Sequence, residues 1–302
     1  MIEIDFLNKR PHVHKKILRL WILFLFLSSK SVFSEINAAK DPRLYLNFPF
    51  AGAQALSNGG IAAPGDSSSP SVNPALLSVS QQNYEIFTQY GFSGDINSLN
   101  LGIKDNVSTE VSAEFRVHQL LGENQEDRQR RMSLALSYLL HKIPLSIGMT
   151  INFDQYNLDK WNSSGTSSRF SANLGSVYEC KVGDQPLFLG FAVNRLNDST
   201  LPTTFDFGLS APIYNGIYYT SLDSILDVDG KWKEQFGVQL QANKYFEMKG
   251  SFGYNISSQQ IYYGAGLFFN APVLHVYYGI ARLDLNDKTL WQTAGLSINL
   301  SM

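Results

Sequence analysis

From Tyr84 to the C-terminus the chain alternates apolar and polar residues in runs of roughly ten, separated by polar connections that are by turns short and long. Successive side chains of a β-strand point to opposite faces, so a period of two marks a strand with one apolar and one polar environment. In residues 235–243, Phe236, Val238, Leu240 and Ala242 share one face, and Gln235, Gly237, Gln239, Gln241 and Asn243 share the other. Between Val107 and His118 the apolar set is Val107, Thr109, Val111, Ala113, Phe115 and Val117, and the opposite face carries Glu110, Ser112, Glu114, Arg116 and His118. Charges that dense on one face would be costly in a dry core. In residues 261–269 the inward set, Tyr262, Gly264, Gly266 and Phe268, is small and aromatic instead. About fourteen such runs predict an all-β fold, a closed transmembrane antiparallel β-barrel, because lipid outside and water or protein inside impose the alternation, and closure leaves no unpaired edge in lipid.

Periodicity places the strands at 84–92, 96–104, 107–117, 131–140, 144–155, 169–180, 186–195, 203–211, 215–222, 234–243, 245–255, 260–270, 272–282 and 290–301. With the first strand rising from the periplasm, the connections at 105–106, 141–143, 181–185, 212–214, 244 and 271 fall on that side, and all are short. The other side receives 118–130, 156–168, 196–202, 223–233 and 283–289, which are longer; 93–95 and 256–259 depart from the trend. Short periplasmic turns and longer outer loops are the asymmetry of outer-membrane barrels. The alternating strand that carries Ile298, Leu300 and Met302 reaches the C-terminus, ending in Met where many such barrels end in an aromatic residue.

Composition narrows the class. A net charge of −2 over 302 residues offers no nucleic-acid partner, and 17% charged residues with 13% aromatic ones is lean in charge and rich in rings. Past the N-terminus no run of about 18 apolar residues occurs, which excludes a helical membrane protein. At the N-terminus, Lys9, Arg10, Lys15, Lys16 and Arg19 precede the apolar run 20–27, and small residues follow, so residues 1–34 read as a signal peptide cleaved after Ser34. The single cysteine, Cys180, reads as a small apolar strand residue.

Residues 35–83 lack clean periodicity. They hold a Gly-rich start with Gly52, Gly59 and Gly60, then Pro64, Gly65 and Pro70, then Asn73-Pro74-Ala75. Leu44, Tyr45, Leu46, Phe48 and Phe50 are too apolar for a linker, so the segment is expected to fold against something else. Pro74 fixes its own φ and pushes Asn73 toward extended conformations, while the Asn side chain can bond nearby backbone, which predicts a rigid turn.

This stretch from Gly52 to Leu77, behind a signal and ahead of about fourteen strands, resembles the N-terminal segment of the FadL-like outer-membrane proteins, a group that includes long-chain fatty-acid transporters and the PorV/PorQ proteins of type IX secretion. The resemblance implies that residues 35–83 enter the barrel, residues 84–302, from the periplasmic side as a hatch, with Gly52, Gly59, Gly60, Asn73, Pro74 and Ala75 as its motif. It implies residence in the lipid of a bacterial outer membrane and passive transport of a hydrophobic small molecule. The alternative is a non-transporting scaffold or cargo-binding barrel with a secretion-system partner protein.

No P-loop, Gly-x-Ser-x-Gly, His-Glu-x-x-His or metal-ligand spacing occurs, so neither an enzyme nor a cofactor or metal site is expected. Glu110, Glu114 and Arg116, with Glu247 and Lys249, form either a gating network against the hatch or paired charges that fill the lumen. His118 and His275 are read as inward hydrogen-bonding residues.

Overall fold

In the computed structural model the described residues are 60–63, 69–80, 83–93, 96–121, 129–140, 142–157, 166–198, 202–213, 218–282 and 290–300. The strands are β1 (Tyr84–Ser93), β2 (Ile96–Asp105), β3 (Val111–Leu121), β4 (Gln129–Leu140), β5 (Leu145–Asn157), β6 (Thr166–Val182), β7 (Gln185–Leu196), β8 (Thr204–Ile213), β9 (Tyr218–Asp227), β10 (Trp232–Gln241), β11 (Phe246–Asn255), β12 (Gln260–Asn270), β13 (Leu274–Arg282) and β14 (Trp291–Asn299). Each pairs antiparallel with its neighbours in sequence, and β14 pairs with β1, so the sheet is a closed barrel without crossovers. Ahead of β1 lie a 3-10 turn, Ser69–Ser71, and one turn of helix, α1 (Leu76–Val79).

The period-two faces separate as the alternation predicts. On β12, Ile261 and Leu267 are 50% and 59% exposed on the outside, while Tyr262 and Phe268 are 3% exposed inside. The outer wall carries Ile86, Leu101, Ile103, Phe115, Leu134, Ile151, Phe170, Leu189, Leu222, Phe236 and Phe252, an apolar surface that water would not tolerate and hydrocarbon requires. Tyr90, Tyr254 and Tyr263 stand outward toward the longer-loop end, and Tyr245, Phe246 and Phe269 cluster at the other, with Phe246 and Phe269 centroids 5.0 Å apart. Among the described residues no helix is long and apolar enough to cross a membrane; the strands do the crossing.

The strand bounds keep the predicted asymmetry. At the end where β1 starts, the connections are 106–110, 141–144, 183–184, 214–217, 242–245 and 271–273. At the opposite end 122–128, 158–165, 197–203 and 283–290 are longer, with 94–95, 228–231 and 256–259 short.

Two strands shift by four residues or more. The third strand starts at Val111 instead of 107, because Asp105 turns the chain with its side chain: Oδ1 accepts the N–H groups of Val107 and Ser108, both at 3.0 Å, and the Ser108 hydroxyl bonds the same carboxylate. A local Asx turn thereby overrides the alternation. The ninth strand runs to Asp227, five residues past the predicted end, which brings Asp223 into the wall.

One irregularity interrupts the ladder. Between β6 and β7 the register shifts at Ala172/Leu174, and β7 bulges through Asn194 and Arg195, the latter with φ of 63°. The Asn173 carboxamide takes up the Arg195 N–H at 2.9 Å. A bulge of this kind re-aims side chains and locally breaks pairing.

Candidate functional site

The described residues ahead of β1, 60–63 and 69–80, lie against the inner wall. Asn73 is fully buried. Its Oδ1 accepts the Ala75 N–H at 3.1 Å, the local Asx turn that Asn-Pro-Ala predicts, while its Nδ2 donates to the carbonyls of Ile61 at 2.8 Å and Ser176, on β6, at 3.2 Å. One side chain thus ties the two parts of the segment together and ties both to the barrel. The Ala75 carbonyl accepts from Ser137 on β4 at 3.2 Å and from Ser146 on β5 at 2.7 Å. Around these contacts Ile61, Ala62, Val72, Ala75 and Leu76 bury against Phe87, Val177, Phe188 and Ala192 of the wall.

The wall is shaped for this approach. Where the segment comes closest, one inward position on each of β5 to β8 is a glycine: a Cβ on Gly148 would strike the Pro74–Ala75 backbone, one on Gly175 the Asn73 carboxamide, one on Gly190 the Ile61 carbonyl, and one on Gly208 the Asp223 carboxylate, Ile61 and Ala62. Gly148 is paired with Gly175, and Gly190 with Gly208, so the absences line up across neighbouring strands. This track was not singled out from the sequence. Its signal is present there, since each of these glycines falls at a polar-face position of an alternating strand, where a glycine marks close approach of another backbone.

Two further anchors hold the segment. Gly60 and Ile61 donate their backbone N–H groups to the two carboxylate oxygens of Asp223, at 2.6 and 3.0 Å. At the short-turn end, Asn106 links segment and wall: its Oδ1 accepts the Asn83 N–H at 2.7 Å, and its Nδ2 donates to the Leu77 carbonyl at 3.2 Å. The Asn83 amide in turn bonds Asn299 on β14. Of the predicted hatch motif, Gly60, Asn73, Pro74 and Ala75 lie at these contacts; Gly52 and Gly59 lie outside the described residues, as do all of residues 1–59 and 64–68.

The predicted charge network divides. Glu114 pairs with Arg116 on β3, and Lys104 lies 3.5 Å from Glu85 across β2 and β1. Lys249 pairs with Glu247 at 3.2 Å on β11, in a different part of the wall, and stands over the Phe268 ring at 4.6 Å. Glu110 belongs to neither: it is exposed in the turn before β3, for the reason that moved that strand's start. An ion pair missing from the prediction, Arg131–Asp154, joins β4 to β5 through two bonds of 2.6 and 2.7 Å. His275 Nε2 lies 3.1 Å from the Asn299 amide, and His118 is buried inside.

Among the otherwise polar inward residues stand several aromatic rings. The rings of Phe87, Tyr262, Tyr277 and Trp291 lie over Gly102, Gly253, Gly295 and Gly91 of the adjacent strand, and all four are at most 6% exposed. Among the described residues no group of three or more His, Cys, Asp or Glu could hold a metal ion.

No family model matches the chain. No curated protein matches it at a significant level. Solved structures do. The toluene transporter TbuX of Ralstonia pickettii aligns over 83% of this chain and 97% of its own with a TM-score of 0.55 at 10% identity. The monoaromatic hydrocarbon channel CymD aligns over 82% and 96%, with a TM-score of 0.52 at 11% identity. A deletion mutant of TodX, also a monoaromatic hydrocarbon channel, aligns over 82% and 98%, with a TM-score of 0.58 at 11% identity. All three are transporters or channels by name, and the chain shares their overall fold, here a closed barrel of fourteen strands.

Proposed function

We propose that this barrel lies in a bacterial outer membrane and passively transports small hydrophobic molecules, with residues 35–83 acting as a hatch. The observation that carries the reading is the fit of the internal segment to the wall: Asn73, Ala75 and Ile61 sit against the glycines on the inner face of β5 to β8. A barrel that only held a partner would have no use for a lumen cut to receive its own chain. Inward rings such as Phe87, Tyr262, Phe268 and Tyr277 offer apolar contacts among polar neighbours, and the fold shared with a toluene transporter and two monoaromatic hydrocarbon channels supports the same substrate class. The scaffold alternative gains no such support.

The segment is held by polar contacts to carbonyls, hydroxyls and one carboxylate, which can be exchanged singly, so that displacement does not require the wall to unfold. The test is uptake of toluene by cells that express the full chain against cells that do not, with binding of toluene to purified protein alongside. Accelerated uptake is expected. Uptake and binding at background would refute the reading.

A further inference from the structure

Beside the Asp223 anchor lies a group of inward polar atoms that the barrel itself leaves unused. Asp223 is paired with Gly208 on β8 and with Gln235 on β10. Gln235 is 2% exposed, yet neither its amide nitrogen nor its amide oxygen has a protein partner. On β8, Ser210 and Asp206 flank Gly208 on the same face; the Ser210 hydroxyl and one Asp206 oxygen are likewise buried without a hydrogen bond. Buried polar groups in folded proteins are satisfied with few exceptions, and an open carboxamide on β10 with an open hydroxyl and carboxylate oxygen on β8, on either side of Asp223, is a concentration of such exceptions. The next inward position along this row is an aromatic face: Gln235 pairs with Gly253, and the Tyr262 ring lies over Gly253.

We propose that Gln235 and Ser210, with the Tyr262 ring, form a selectivity site for a neutral hydroxylated aromatic molecule, its ring on Tyr262 and its hydroxyl exchanging hydrogen bonds with the Gln235 amide and the Ser210 hydroxyl. This rests on the transport reading above and sharpens its substrate class. A donor–acceptor carboxamide matches a hydroxyl, which both donates and accepts. The carboxyl groups of Asp206 and Asp223 flank the site and disfavour an anionic cargo, while the neighbouring cations, Arg195 and Lys233, both act on Asp206, and Lys233 also stands 5.7 Å from the Tyr262 ring centroid. The polar atoms are covered in this structure, so a ligand engages them as the segment that Asp223 holds beside them moves. A polar group that must find its partner in a dry site discriminates more sharply than an apolar surface does.

The experiment measures binding of p-cresol, its near-isostere p-xylene and the anion p-toluate to the purified full-length protein by equilibrium dialysis, for the native chain, Gln235→Met and Ser210→Ala, with folding checked by heat-modifiable gel migration. The native chain is expected to bind p-cresol more tightly than p-xylene and p-toluate. Gln235→Met should weaken p-cresol about five- to ten-fold, Ser210→Ala about three-fold, and neither should change p-xylene. Equal binding of p-cresol and p-xylene, a preference for p-toluate, or equal losses for all three in the variants would overturn this site while leaving hydrophobic transport standing. Binding of none of the three would overturn both. Should Gln235→Met fail to fold, Ser210→Ala alone decides by the same criterion.

Discussion

The Asn73 carboxamide occupies the space that a side chain on Gly175 would fill. Two residues 102 positions apart, one in the internal segment and one in β6, are thereby specified as a pair: the wall can seat the segment only while this position has no Cβ. Gly175→Val is expected to close and assemble the barrel, because its outer face is unchanged, but to unseat the segment. Overpacking of this kind costs about 1–3 kcal/mol. Increased proteolytic cleavage within residues 60–80 and a higher conductance in planar bilayers would register it; native-like protection in the variant would contradict the fit.

Asn73→Ala removes the bonds to Ile61, Ser176 and Ala75 together while leaving the space open. Two buried carbonyls and one N–H lose a partner, an expected destabilisation of the segment of about 2–4 kcal/mol, from about 1 kcal/mol per net bond with a surcharge for groups left unsatisfied. Hydrogen exchange resolves this, since amides at 75–80 should lose protection while those of β10 to β14 keep it.

Asp223→Ala leaves the Gly60 and Ile61 N–H groups without their acceptor, whereas Asp223→Asn keeps one acceptor oxygen. The first should loosen residues 60–63 strongly and the second weakly. Equal protection of those amides in both variants would mean that the carboxylate does not hold them.

Arg131 and Asp154 form a two-bonded pair inside the wall. Removing one partner strands the other, so Asp154→Ala should cost about 3–5 kcal/mol, and Arg131→Met with Asp154→Leu should cost less than the single change. A double-mutant cycle by urea unfolding in detergent measures the difference.

Phe236 stands outward near the middle of β10, 48% exposed. If hydrocarbon meets it, Phe236→Arg destabilises the inserted barrel by about 2–4 kcal/mol, while a charge reversal at exposed Glu110 in the turn has little effect. Similar effects at the two sites would argue against a membrane at the barrel's waist.

The alternation of apolar and polar residues determined the wall. All fourteen strands were legible, and so was the inward or outward direction of residues such as Phe236, Tyr262 and Glu114, because period two is a local property and lipid enforces it along every strand. Boundaries were misplaced where side-chain chemistry outweighed the pattern, as at Asp105, whose Asx turn delays β3, and at Asp223, which was read as loop. The Asn73 turn was also legible, being made by neighbours in sequence.

What the wall receives was not. That Gly148, Gly175, Gly190 and Gly208 form one track, that Asp223 holds Gly60 and Ile61, and that Glu114 and Lys249 belong to separate pairs depend on which strands closure brings side by side and on the register between them. Register fixes the distances between residues far apart in the chain. No local pattern encodes those distances, and the tertiary structure alone decided them.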